Sequence, residues 1–348
     1  MPGKLEDGVR TCVVECADVR RGQSVYVVSE TGAADPEVID TIAAVARDRG
    51  ADVHVVWGPE IPRERREEIP SDVFEGYAKA DVLFAHYPTL KREVLHPHFP
   101  GERRVRVPNR ARTVPLMTSD WAAFPYSVQR TAALTIDGMS RPGGRWRVTS
   151  PNGTDIRGYF GDPESTVAQA YFVEQEDGRA RRNFPGGVHS PAIAVAAEGV
   201  IVADHIAKFG TMNASAPLVL ELKEGRVVSC KGGDDEGRMR AAIEKTDGFI
   251  DSWHAGVNPK TIVPIARTAN PVEWYTYSHC SPMIVHFHVG RSHDPVDVAS
   301  FRQTIRIDDH VLYDGGRLTI WDHADVAAAV RRCDMPASMF DNSVIPLV

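Results

Sequence analysis

Two hydrophobic rhythms alternate through the first third of the chain. SVYVVSE (24–30) is a β-branched run of strand length, PEVIDTIAAVARDRG (36–50) spaces its apolar residues for one helix face and closes on Gly50, and ADVHVVWG (51–58) returns to strand. Strand, helix and strand in that order predict a βαβ unit and hence a parallel sheet. Another round follows, with DVFEGYAKA (72–80) as helix, DVLFAHYP (81–88) as strand, then RRVRVPN (103–109). SDWAAFPYSVQRTAALTIDGMS (119–140) has helical spacing carried across Pro125, and Arg141, Pro142, Gly143 and Gly144 close it.

Beyond that stop the rhythm changes to strands and tight turns. RWRVTS, the turn at Pro151, Asn152 and Gly153, and TDIRGYF read as a hairpin, and LVLELKEGRVVSC (218–230) reads as a second one. A helix over EGRMRAAIEKTDGF follows, then the strands FIDSWHAG and MIVHFHVG and the paired run QTIRIDDHVLYDGGRLTIW. The expected architecture is an α/β N-terminal domain with a parallel sheet over residues 1–142, and a mainly antiparallel α+β domain over 143–348.

Composition narrows the class. The 348 residues are 43% hydrophobic and 25% charged with a net charge of -7, the balance of a soluble globular protein with no basic face for phosphates, so no nucleic-acid partner is expected. Basic runs such as RERRE (63–67) are interleaved with acids and read as a solvated helix face. No apolar run reaches bilayer length and the N-terminus lacks the signal-peptide pattern, which predicts a cytoplasmic protein without a membrane partner. Cys12, Cys16, Cys230, Cys280 and Cys333 are odd in number and form no C-x-x-C pair, so reduced thiols are expected. No G-x-G-x-x-G follows the first strand, and no G-x-S-x-G is present. Exposed edges of antiparallel strands predict a homo-oligomer.

Histidine carries the candidate chemistry. Five of the thirteen, His254, His279, His286, His288 and His293, lie within forty residues. Residues two apart on a strand share a face with roughly 7 Å between Cα atoms, so His286 and His288 can converge on one ion while Phe287 faces the other way. His254 in SWHAGVNP ends a strand beside a Gly256, Asn258, Pro259 turn, where a side chain can be presented to a cavity. Three neutral imidazoles suit iron, zinc, copper or nickel and leave coordination positions open. His189, in the Gly-Pro-rich loop NFPGGVHSP, and His279 are the candidates for moving a proton. His96 and His98 flank Pro97 and read as loop residues, and Cys280 beside His279 points apart from it on an extended chain.

GRWRVTSPNGTDIRGYFG, NFPGGVHSP followed by AAEGVIVAD, ELKEGRVVSC, HAGVNP and VHFHVG occur in an order that resembles the metalloaminopeptidases of the aminopeptidase T and S type. That superfamily includes the dihydroxypyridine dioxygenase type of non-haem iron enzyme. The resemblance covers about residues 144 to 320 and implies an aminopeptidase T-like fold. It places His286 at the family's strand-histidine ligand and His288 at the following small-residue position. Val188 and His189 fall where the peptidases carry a glutamate, Ser252 where another ligand precedes the turn, and Phe301 and Gln303 where an H-x-D pair stands.

The expected function is a mononuclear metal enzyme with His254, His286 and His288 as ligands. It would use Fe(II) and dioxygen to oxygenate or open a small aromatic or heteroaromatic substrate. The alternatives are a zinc-dependent aminopeptidase-like hydrolase and a non-catalytic binding member of the fold.

Overall fold

A computed structural model describes residues 4–59, 71, 80–86, 105–161, 172–174, 180–186, 188–189, 194–209, 211–212, 216–261, 281–290 and 295–341. The chain divides into two compact units, residues 1–130 with 171–187, and residues 131–170 with 188–348. The division falls at 130/131, inside the helix Tyr126–Met139, whereas the expected boundary was 142/143, and residues 171–187 go with the first unit.

In the first unit the strands β1 (Ser24–Glu30), β2 (Asp52–Gly58), β3 (Val82–His86) and β4 (Val105–Pro108) form a parallel sheet in the order β2-β1-β3-β4. The helix Pro36–Asp48 makes the first crossover. It starts with Pro36 in the first turn, buries Val38, Ile39, Ile42, Ala43 and Ala46 on one face, and gives way at Gly50, whose φ of +81° suits a residue without Cβ. Two short strands, β7 (Phe172–Glu174) and β8 (Ala180–Arg182), return to this sheet, β8 running parallel to β4 and β7 antiparallel to β8. The continuous helix expected over 119–140 is two: Asp120–Ala123 ends at Phe124, held extended at φ -64° and ψ 129° ahead of Pro125, and Tyr126–Met139 begins after it. The proline ring excludes the helical conformation from the residue before it. The helix expected over 72–80 lies outside the described residues.

The second unit holds two antiparallel sheets. The larger contains β5 (Arg145–Thr149), β6 (Asp155–Phe160), β10 (Ala194–Ala203), β13 (Leu218–Lys223), β14 (Arg226–Lys231), β18 (Thr304–Ile307), β19 (His310–Asp314) and β20 (Arg317–Leu318), ordered β14-β13-β10-β6-β5-β18-β19-β20. Both expected hairpins, β5–β6 and β13–β14, are present. The smaller sheet contains β9 (Val188–His189), β11 (His205–Ile206), β12 (Thr211–Met212), β15 (Ile250–Gly256), β16 (Ile284–Val289) and β17 (Val296–Phe301), ordered β12-β11-β17-β16-β15-β9. Ser300 of β17 ties the two sheets, bonding the Thr154 hydroxyl at 2.9 Å and donating to the Val202 carbonyl at 2.8 Å. The Tyr313 hydroxyl adds a bond to the Gly256 carbonyl at 3.0 Å. Strand alternation therefore turns Val285, Phe287, Val298 and Ser300 toward the larger sheet and leaves the opposite face of β15, β16 and β17 for other work.

Cys12, Cys16 and Cys230 are buried thiols. Among the described residues no helix is long and apolar enough to cross a membrane.

Candidate metal centre

The two-residue spacing of His286 and His288 gives them one face of β16, and the register of β15 adds the third imidazole. His254 pairs directly with His286, Trp253 with Phe287 and Ala255 with Val285. Directly opposed residues share a face, so His254 joins the pair while Trp253 and Phe287 go to the packed side. Between Ile250 and Trp253 the register shifts, so two residues of β15, Asp251 and Ser252, stand opposite His288 alone. Strict alternation along β15 is therefore interrupted between Ile250 and Trp253, where the strand carries one extra residue.

Among the described residues these three histidines are the group able to hold a metal ion, with one ligating nitrogen from each within 4.8 Å of the others. The His254 ring lies 4.8 Å from His286 at 15° and 4.1 Å from His288 at 30°, and His286 and His288 are 5.4 Å apart at 42°. Burial is graded: His254 is 0% exposed, His286 1% and His288 9%. Three nitrogen donors shielded from water fit a transition metal of the iron to zinc range. Two donors on one tetrahedral ion stand roughly 3.4 Å apart, so closing on an ion takes side-chain rotation.

Beyond the three ligands, the same face carries groups that single-strand reading missed. Asp297 of β17 is opposite His288, and its Oδ1 lies 3.4 Å from His288 Nε2. His205 of β11 is opposite Ala299, which is itself opposite His286, so a fourth imidazole shares the face one strand further on. Burial pushes His205 down to about 4, so it is neutral at pH 7. Ile284, Ala299, Phe301 and Ala207 form an apolar cluster beside the histidines, with Met283 packed against it. The signal for Asp297 was the alternation in VDVASF, but choosing its partner strand required the register.

His189 lies in β9 with its backbone paired to Ala255, one register step from His254. His279, His293, Asp294, Cys280, His96 and His98 lie outside the described residues. Phe301 pairs with Ile284 in the apolar cluster, and buried Gln303 donates to the Pro282 carbonyl, so both positions serve packing and backbone bonding.

No protein-family profile matches the sequence, and no curated protein matches it. Solved structures do match. The fold is that of the aminopeptidase T-like proteins, a parallel α/β part followed by antiparallel sheets. The chain is similar to 2,5-dihydroxypyridine dioxygenase from Pseudomonas putida KT2440, with a TM-score of 0.64 and 15% identity over 92% of this chain and 98% of that one. It is similar also to AmpT from Thermus thermophilus, with a TM-score of 0.57 and 14% identity over 90% of this chain and 98% of that one.

Proposed function

We propose that the chain is a metal-dependent enzyme whose ion is held by His254, His286 and His288, and that with Fe(II) it oxygenates or opens a small aromatic or heteroaromatic molecule. The observation that carries this reading is the set of three buried imidazoles converging from two strands, with ligating nitrogens within 4.8 Å. Likeness in fold to a dihydroxypyridine dioxygenase supports the reaction class. When bound, the ion supplies the redox chemistry and the open coordination positions. The protein residues hold and shield it. His254 and His286 form the dry floor of the centre, and His288, the most exposed of the three, marks the side from which a substrate arrives. The apolar cluster around Phe301 and Ile284 covers the opposite end of the face, beyond His286. His189 and His279 are the proposed proton carriers, since an imidazole moves protons readily near neutrality.

A zinc-dependent hydrolase is the second reading, favoured by likeness in fold to AmpT. Zinc in the same nitrogen set would polarise a carbonyl and lower the pKa of a bound water. The test is anaerobic reconstitution with Fe(II), followed by admission of oxygen in the presence of hydroxylated pyridines and phenols. Oxygen uptake that is abolished in His288→Ala supports the oxygenase. Oxygen-independent release of an amine from peptide amides by the zinc-loaded protein moves the assignment to the hydrolase. A reconstituted protein that retains no transition metal sinks both.

A further inference from the structure

Among the described side chains, the carboxylate of Asp297 stands beside His288 of the three-histidine centre. Asp297 is opposite His288 in the β16–β17 register and so projects from the same face, with Oδ1 3.4 Å from His288 Nε2. That separation is long for an N–H···O hydrogen bond, which prefers about 2.7–3.2 Å. Two donors bound at about 2.0–2.1 Å to one ion are roughly 3.0–3.4 Å apart, from right-angled to tetrahedral arrangements. The Asp297 side chain is 30% exposed against 11% for His288, so the carboxylate keeps contact with water. Its negative charge would offset part of a divalent ion's charge in an otherwise neutral set of donors.

We infer that Asp297 is a fourth protein donor, making the centre a three-histidine, one-carboxylate site. This rests on the metal reading above and adds a selection rule to it. Four protein donors fill a tetrahedral ion completely, whereas a six-coordinate ion keeps two positions free. The carboxylate thus favours catalysis with a six-coordinate ion such as Fe(II) and makes a zinc form a closed one.

Titration of the metal-free protein with Co(II), followed by calorimetry and by the visible absorption bands, tests this without reference to turnover. Wild type is expected to bind one Co(II) per chain, with His286→Ala as the control that loses it. Asp297→Ala and Asp297→Asn are both expected to weaken Co(II) at least about 100-fold and to shift the bands, beyond the 10- to 100-fold typical of an outer-shell partner. An asparagine oxygen can still accept a hydrogen bond from His288, so a merely orienting aspartate would be rescued by it. Asp297→Asn with affinity within about tenfold of wild type and superposable bands overturns the inference while leaving the metal site intact. Failure of wild type to bind Co(II), or binding unchanged in His286→Ala, overturns the metal reading itself. Circular dichroism of the metal-free variants checks folding, and if the alanine variant does not fold, the asparagine variant decides.

Discussion

At the scale of single residues, burial sets the charge of ionisable groups away from the centre. His86 at the end of β3 is 1% exposed, and Asn109 Nδ2 donates to its Nε2 at 2.9 Å. The Asn109 carbonyl oxygen accepts from Ala111 N–H at 2.9 Å, which fixes the amide's orientation. Burial first, and the Arg112 charge second, push His86 down to about 3. Because the folded value lies below the unfolded one near 6.5, the unfolded chain takes the proton first on acidification. The contribution of His86 is complete above about pH 6.5 and is lost as pH falls toward 3. Urea unfolding between pH 7 and 4.5 should show wild type losing about 1 kcal/mol per pH unit more than His86→Gln, and parallel slopes would contradict the assignment. Asp137 has the opposite sign, since burial raises its carboxyl to about 7. Asp137→Asn should therefore be more stable than wild type at pH 8, by at most a few kcal/mol, with the difference vanishing near pH 4. His286 and His288 were legible because the strand period of two is written in the local sequence, and His254 because it stands where a strand meets a Gly256, Asn258, Pro259 turn. Asp297 and His205 were not, because they reach the same face through a register between strands far apart in the chain.

At the scale of elements, hydrophobic periodicity located strands well where both flanks carried turn residues, as in β1, β5, β6, β13, β14 and β16. It failed where one local rule overrode another: apolar spacing runs through Pro125, yet the backbone stops at Phe124. The addition of β7 and β8 to the first sheet had no local signal, since three-residue strands carry too little pattern. Element geometry also imposes needs that composition hides. Gly199 in β10 has φ +124°, and a Cβ there would sit 2.1 Å from the Asp155 carbonyl oxygen and 3.0 Å from Ile156 Cα, both backbone atoms. It follows a register shift between Val195 and Glu198, so β10 bends there against β6. Gly199→Ala should destabilise the protein by about 2 kcal/mol or more, seen as a lower urea midpoint with an unchanged slope. A midpoint equal to that of wild type would mean that β10 and β6 can separate locally. Phe287, fully buried between the central histidines, carries the packing of β16 on the side away from them. Phe287→Ala is expected to remove about 3–5 kcal/mol and, through the loosened strand, to weaken metal binding as well.

For the whole molecule, the proposed centre lies entirely in the second unit, since β15, β16 and β17 all belong to residues 188–348. A ligand that binds only the folded form stabilises what it binds, and the three histidines come together only when β15 pairs with β16. The strands are separated in sequence by the segment between Gly256 and Ile284, so an ion joining His254 to His286 closes a loop as well as filling a site. At a free metal concentration 100 times the dissociation constant the stabilisation is about 2.7 kcal/mol, or about 5–10 °C for a unit of 150–250 residues. Scanning calorimetry of the Co(II)-loaded protein against the chelator-treated protein should raise the transition of the second unit by that amount. The first unit's parallel sheet contributes no ligand to the centre, so a separate transition belonging to it should stay in place. His286→Ala should show the chelator-treated profile under both conditions. An equal shift in wild type and in His286→Ala would mean that the ion binds elsewhere, and an unshifted wild type would mean that the imidazoles stack without holding one.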